Sequence, residues 1–213
     1  MIFQKGRQNA VSSMTYHLAY NLLKHTHAFN LQVLSGSVPR FHGRNHAIKK
    51  GALLVGLMRL SGTVSSGLGR AHVFMAQPHY QEQFKHILGG SAWPGTLNLK
   101  IEGSDLVHYI ALRKKSGIDT LDASDDDRSA AVDVEVTQYD AHRIRGFLRD
   151  GVSFGGATAF SGALKFQGHS IDCALLIPDL TRHIDVVEII ASSFLRERLS
   201  LEDGDLLEIE LSN

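Results

Sequence analysis

The chain has 213 residues, 43% of them hydrophobic, with 22 basic and 22 acidic side chains, a formal net charge of zero and a single cysteine. This allows a buried core in one large or two small domains, and it excludes a disulfide framework; no Cys/His spacing reads as a zinc site. No apolar run is long enough to span a bilayer, and residues 1–30 lack an unbroken apolar core followed by a cleavage site, so a soluble, cytoplasmic protein without a membrane partner is expected.

The zero net charge hides an asymmetry. Residues 1–57 hold Lys5, Arg7, Lys24, Arg40, Arg44, Lys49 and Lys50, and no Asp or Glu at all. Such a split suggests two units, a basic segment over 1–57 and a second unit over 58–213, with different origins or partners. Met14, Leu18 and Leu22 recur at a spacing of four behind Ser13, which predicts a short helix from Ser13 to about Lys24. A remnant of a DNA-binding winged helix, a loosely packed tail, or a chain whose true start is Met58 all fit this segment. Any nucleic-acid contact is expected only here.

From Met58 the pattern changes. "MRLSGTVSSGLG" predicts a strand running into a glycine turn, and "AHVFMA" a second strand. "HYQEQFKHILGG" has helical spacing through Tyr80, Phe84, Ile87 and Leu88, and its Gly pair suits a helix C-cap. "GTLNLKI" predicts a strand with Leu97, Leu99 and Ile101 on one face and Thr96, Asn98 and Lys100 on the other. Residues 113–131, centred on "DASDDDRSA", read as a solvated loop or insertion, with cation binding by the carboxylates as the alternative. "VDVEVTQY", "IRGFLRD", "SFGGATAFSGALKF" and "SIDCALLIP" predict short strands, the pattern of a β-rich barrel or sandwich. "VVEIIA" predicts a buried strand, "SSFLRERLSL" a short helix, "EDGD" a turn and "LLEIEL" a closing strand with strict alternation.

Three features could carry chemistry. The stretch from Gly62 to Gly69 lacks the Gly-Lys-Ser/Thr of a Walker loop, and His72 stands where a dinucleotide fingerprint needs glycine. What survives is a turn with Gly67 and Gly69 followed by Arg70 and His72, either an anion-binding nest of backbone N–H groups or a plain hairpin turn. Thr96 and Asn98 offer two neutral oxygens on one strand face, suited to a hard cation or simply to water. Glu188 lies in an apolar run, so its carboxylate is hydrogen-bonded, protonated or turned to solvent.

Taken in order, "GTVSSGLGRAHVF", "Y..QF..ILG", "PGTLNL", "IRGF", "FGGA", "IDCALLIPDLTRH" and "VVEIIASSFLRERLSLEDGD" resemble the archaeal CTP-dependent riboflavin kinase family over about residues 60–213, with an insertion near 113–131. The resemblance implies a mainly β fold, a six-stranded cradle-loop (RIFT-type) barrel with short helices. It implies transfer of the CTP γ-phosphoryl group to the 5′-hydroxyl of riboflavin, giving FMN and CDP. It further implies that Thr96 and Asn98 bind Mg2+, and that Gly67, Leu68, Gly69, Arg70, Ala71 and His72 hold the nucleotide phosphates. On the same basis Ser193, Phe194, Leu195 and Arg196 contact the nucleotide from its other side, and Thr181 and Glu188 contact the flavin, with Glu188 the candidate to orient or deprotonate the hydroxyl. Arg70 and Ala71 stand where family members carry an acidic residue and a glycine, and Ser192 replaces a common proline. A flavin- or nucleotide-binding regulator without turnover, its basic N-terminus touching nucleic acid, is the competing class; a structural barrel would have no use for "PGTLNL".

Overall fold

The computed structural model describes residues 57–181 and 183–213. The expectations for residues 1–56, including the Ser13–Lys24 helix and any nucleic-acid contact, lie outside the described residues. The strands are β1 (Arg59–Ser65), β2 (Leu97–Lys100), β3 (His142–Ile144), β4 (Phe147–Arg149), β5 (Val152–Phe154), β6 (Ala157–Phe166), β7 (His169–Pro178), β8 (Val186–Ile190) and β9 (Leu206–Leu211). The helices are α1 (Ala71–Met75), α2 (Pro78–Leu88), α3 (Gly103–Lys115), α4 (Asp125–Ala130) and α5 (Leu195–Arg198).

Six strands in the order β6-β7-β8-β2-β1-β9 close into an antiparallel barrel, because β9 pairs back onto β6. The long β6 makes closure possible: the first part of one edge takes β3 at Ala157–Ala159, and the rest takes β9 at Gly162–Lys165. β4 and β5 form a separate hairpin. This is the six-stranded barrel that the resemblance implies.

Alternation builds the core. Leu60, Val64, Leu97, Leu99, Val187, Ile189, Leu175, Ile209 and their neighbours point inward into one cluster, joined by Tyr109 and Leu112 of α3. Outside the barrel, Met75, Tyr80 and Phe84 pack on Ala159, Ala174, Leu176 and Ile190, seating α1 and α2 against β6, β7 and β8. Cys173 is buried in the barrel, and burial pushes its thiol up to about 12, leaving it an inert core residue. No helix among the described residues is long and apolar enough to cross a membrane.

Three expectations are corrected. "AHVFMA" is the helix α1, not a strand: it follows Gly69 in the left-handed region (φ 66°), only Met75 is buried, and Val73 and Phe74 have no strand to pair with. β propensity reflects packing on a pleated surface, and here that surface is absent. "VDVEVTQY" is irregular. Lys115 Nζ donates to the carbonyls of Val136 (2.8 Å) and Thr137 (3.2 Å), which leaves no ladder there, while Val134 and Val136 pack under α3. Residues 113–131 are largely exposed, as expected, but are not a loop throughout: they hold the end of α3 and the helix α4. Arg113 is buried and its guanidinium reaches both carboxylate oxygens of Asp122 (3.2 and 3.1 Å) and the Asp119 carbonyl (3.1 Å), and Ser124 caps α4. The helix α3 has no counterpart among the expected elements, because Tyr109 to Arg113 are buried consecutively and leave no amphipathic stripe to read.

Gly162 sits on the closing seam, where an added Cβ would lie 2.6 Å from the Glu210 carbonyl oxygen. Gly162→Ala is therefore expected to cost roughly 1–3 kcal/mol, a fall in Tm of several degrees in a thermal melt followed by circular dichroism. An unchanged Tm would mean that the seam is looser than its register implies.

Candidate active site

The site begins with one row of the barrel ladder. Ser65 on β1 pairs with Asn98 on β2, and Asn98 pairs with Glu188 on β8. Directly paired residues share a face, and their neighbours Val64, Leu99 and Val187 are core, so this row faces outward. Thr96 lies two residues before Asn98, and its hydroxyl donates to Asn98 Oδ1 at 3.1 Å. Above the row the chain leaves β1 and passes over Asn98 so closely that a Cβ at Gly67 would lie 2.5 Å from Asn98 Nδ2. Any side chain at 67 would displace that amide.

The Gly67–His72 loop is tied to the C-terminal turn. Asp203 accepts from the Ser66 backbone N–H through Oδ2 (3.2 Å) and from the Arg196 guanidinium through Oδ1 (2.7 Å), while the Gly204 N–H donates to the Val64 carbonyl at 2.9 Å. Arg196 first, and Ser66 second, hold the Asp203 carboxyl below the usual carboxylate range. His72 Nδ1 lies 2.7 Å from the Gly69 carbonyl and braces the turn; Leu68 and Arg70 are exposed and Ala71 opens α1. Ser193 Oγ accepts from Arg198, Leu195 is buried, and the Phe194 ring stacks on Trp93.

Register separates two ends. The Gly67 loop, Thr96 and the Ser193–Arg196 segment gather at the Ile190 end of β8; Thr181 and His183 enter at the Val186 end, and Glu188 lies between. Thr181 turns on its own backbone, its N–H donating to the Pro178 carbonyl at 3.1 Å, and its hydroxyl faces the His183 carbonyl at 3.4 Å. Burial pushes the Glu188 carboxyl above the usual range, and the nearby His183 imidazole pulls it partly back. Glu188 is thus a carboxylate whose charge the fold makes costly, in one row with Asn98 and Ser65. Among the described residues no group of three or more His, Cys, Asp or Glu side chains could hold a metal ion. A cleft of about 530 Å3 lined by Ser61, Lys165, His169 and Glu208 lies elsewhere and contains none of these residues.

The family model of the CTP-dependent riboflavin kinases, described as a domain of unknown function (DUF120), matches residues 64–136 and 119–211. The chain belongs to that family. It is similar to the riboflavin kinase of Methanoculleus marisnigri, 34% identical over 155 residues, covering 72% of this chain and 57% of the relative. It is 33% identical over 154 residues to the riboflavin kinase of Thermofilum pendens (71% and 58%), and 30% identical over 152 residues to that of Thermoplasma acidophilum (71% and 56%). The chain thus spans little more than half the length of these relatives.

Within this family fold, the structure brings Thr96, Asn98, Glu188 and Gly67 together, and ties the Gly67 loop to Arg196 through one carboxylate. That carboxylate, Asp203, belongs to a segment whose sequence signals only a turn. Trp93 is not singled out in the sequence, though it directly precedes "PGTLNL", and His183 closes the motif "IDCALLIPDLTRH" without a role assigned to it.

Because burial favours the neutral acid, folded Glu188 binds its proton more tightly than the unfolded chain, where glutamate titrates near about 4.3. Stability therefore falls as pH rises from that value through the raised one, and above it the cost of the charge is fully present. Glu188→Gln is expected to match or exceed the parent Tm at neutral pH, with the gap closing in acid. A Gln variant that melts well below the parent at neutral pH would contradict this.

Proposed function

We propose that the protein phosphorylates riboflavin to FMN using CTP. The observation that carries this reading is the single row in which Asn98 and Glu188 face outward side by side beneath Gly67, in a chain of the CTP-dependent riboflavin kinase family. The backbone N–H groups of Gly67 to Ala71, with the Arg70 side chain, hold the triphosphate, and Ser193–Arg196 hold the nucleotide from the opposite side. Riboflavin enters at the Thr181 end with its ribityl 5′-hydroxyl against Glu188. Glu188 accepts the hydroxyl proton as the oxygen attacks the γ-phosphorus; the bond to the β–γ bridging oxygen breaks and CDP leaves with its electron pair. The raised Glu188 carboxyl makes it a better proton acceptor than an exposed glutamate once it is ionised.

The donor set suits Mg2+. Thr96 Oγ1 and Asn98 Oδ1, hydrogen-bonded to each other at 3.1 Å, could both turn to one hard cation if the hydroxyl gave up that bond. These two neutral oxygens would hold the ion, the triphosphate supplying the negative charge. Bound there, Mg2+ would offset charge on the transferring phosphoryl group. The departure to Arg70 adds charge suited to phosphate, and the turn at Gly69 stays in the left-handed region.

Purified protein incubated with riboflavin, MgCl2 and CTP is expected to yield FMN by chromatography, and ATP at equal concentration to be used poorly, since a site that pairs with cytosine strands its polar groups against adenine. Rates with ATP equal to or above CTP would overturn the donor assignment. Asn98→Ala should lower kcat on the order of a hundredfold while the circular dichroism spectrum is unchanged. Near-parental turnover of that variant at limiting Mg2+ would remove Asn98 from the metal site.

A further inference from the structure

Trp93 is the one tryptophan of the chain. Its indole stacks on the Phe194 ring with centroids 5.2 Å apart and planes 19° from parallel. Both rings remain open to solvent, Trp93 at 44% and Phe194 at 40% exposure. Neither belongs to any of the three apolar clusters of the described residues, so the stack is not a piece of core. Yet it is firmly held. The Trp93 N–H donates to the Ala191 carbonyl at 2.8 Å, and the Gly95 N–H donates to the Trp93 carbonyl at 2.8 Å. The indole lies along the Gly95 backbone, where a Cβ would be 3.5 Å from both Cδ1 and Nε1. A rigid aromatic pair left half in water is a surface that gains by covering.

Its position selects what would cover it. The stack sits at the Ile190 end of β8, Trp93 three residues before Thr96 and Phe194 directly after Ser193, on the same end as the Gly67 loop. The exposed Arg70 of the Gly67 loop supplies positive charge on that side, while Arg196, two residues beyond Phe194, is paired with Asp203 at 2.7 Å. Thr181 and His183 lie at the far end of the strand. A ligand with one flat ring and an anionic tail fits this end: the ring on the aromatic pair, the tail along the loop toward Asn98.

We propose that the Trp93–Phe194 stack is the wall on which the base of the nucleotide donor lies. This rests on the reading of the site as one that takes a nucleoside triphosphate. Every base has a π-face, so stacking supplies affinity without choosing among bases. The wall therefore sets how tightly the donor binds, and discrimination stays with polar groups around the base edge.

The lone tryptophan makes the test direct. CTP, and CDP without turnover, should quench Trp93 emission saturably at the concentrations that support catalysis. Trp93→Ala should raise the KM for CTP about tenfold or more, leave the KM for riboflavin and the CTP-to-ATP rate ratio unchanged, and be largely rescued by Trp93→Phe. Phe194→Ala should raise the KM for CTP in the same direction, and thermal melts of each variant identify any that fail to fold. An active Trp93→Ala enzyme with parental KM for CTP overturns the proposal, as does a rise confined to the KM for riboflavin. If the parent protein makes no FMN from CTP, the kinase reading fails by itself; saturable quenching by CTP would still uphold the wall, and absence of quenching would remove it.

Discussion

Closure of the barrel between β6 and β9 is the constraint on which the site depends. A closed antiparallel ladder has no free edge along which a strand can slip, and a slip of one residue would turn every side chain to the other face. With six strands locked head to tail, Val64, Leu99 and Val187 are committed inward, and Ser65, Asn98 and Glu188 are committed outward in one row. The site is therefore a by-product of core packing: the apolar residues that hold the register also aim the polar ones. Gly162 and Gly62 show how tight the ladder is, since a Cβ at either would meet a backbone oxygen of the neighbouring strand at 2.6 or 2.8 Å.

The segments above the row are held differently. The Gly67 loop and α5 are joined through Asp203 by two hydrogen bonds at the surface. Exposed contacts of this kind contribute little to stability and are weakened by salt. What they contribute is a preferred arrangement, with the loop and the helix held as two sides of a cleft. A ligand can move them at small cost, whereas it cannot move the row beneath. The combination of a rigid floor and lightly tethered walls suits the proposed phosphoryl transfer, in which two substrates enter and two products leave.

Glu188 carries the opposite tension. A carboxylate on a mostly covered strand is a poor choice for stability, because burial penalises its charge and only His183 offsets that penalty. The same penalty makes it a willing proton acceptor. The cost thus falls on the residue proposed as the base, on a strand whose Ile190 packs with Met75, Tyr80 and Phe84 of α1 and α2.

The sequence by itself determined the parts governed by local rules. Period-two alternation marked β2 and β9, helical spacing with a terminal glycine marked α2, and the resemblance carried by the order of motifs from "GTVSSGLG" to "EDGD" implied the six-stranded barrel and named Thr96, Asn98 and Glu188 as candidates. Tertiary structure alone decided the rest. "AHVFMA" has strand-like composition, but with no neighbouring strand to complete a ladder it coils into α1; Tyr109–Arg113 show no stripe because α3 is covered on several sides at once. Asp203 lies 137 residues from the Ser66 N–H it accepts from, and Trp93 meets Phe194 only because β2 and β8 are paired. Such contacts join residues distant in the chain, and no local pattern encodes a distance that only barrel closure brings to zero.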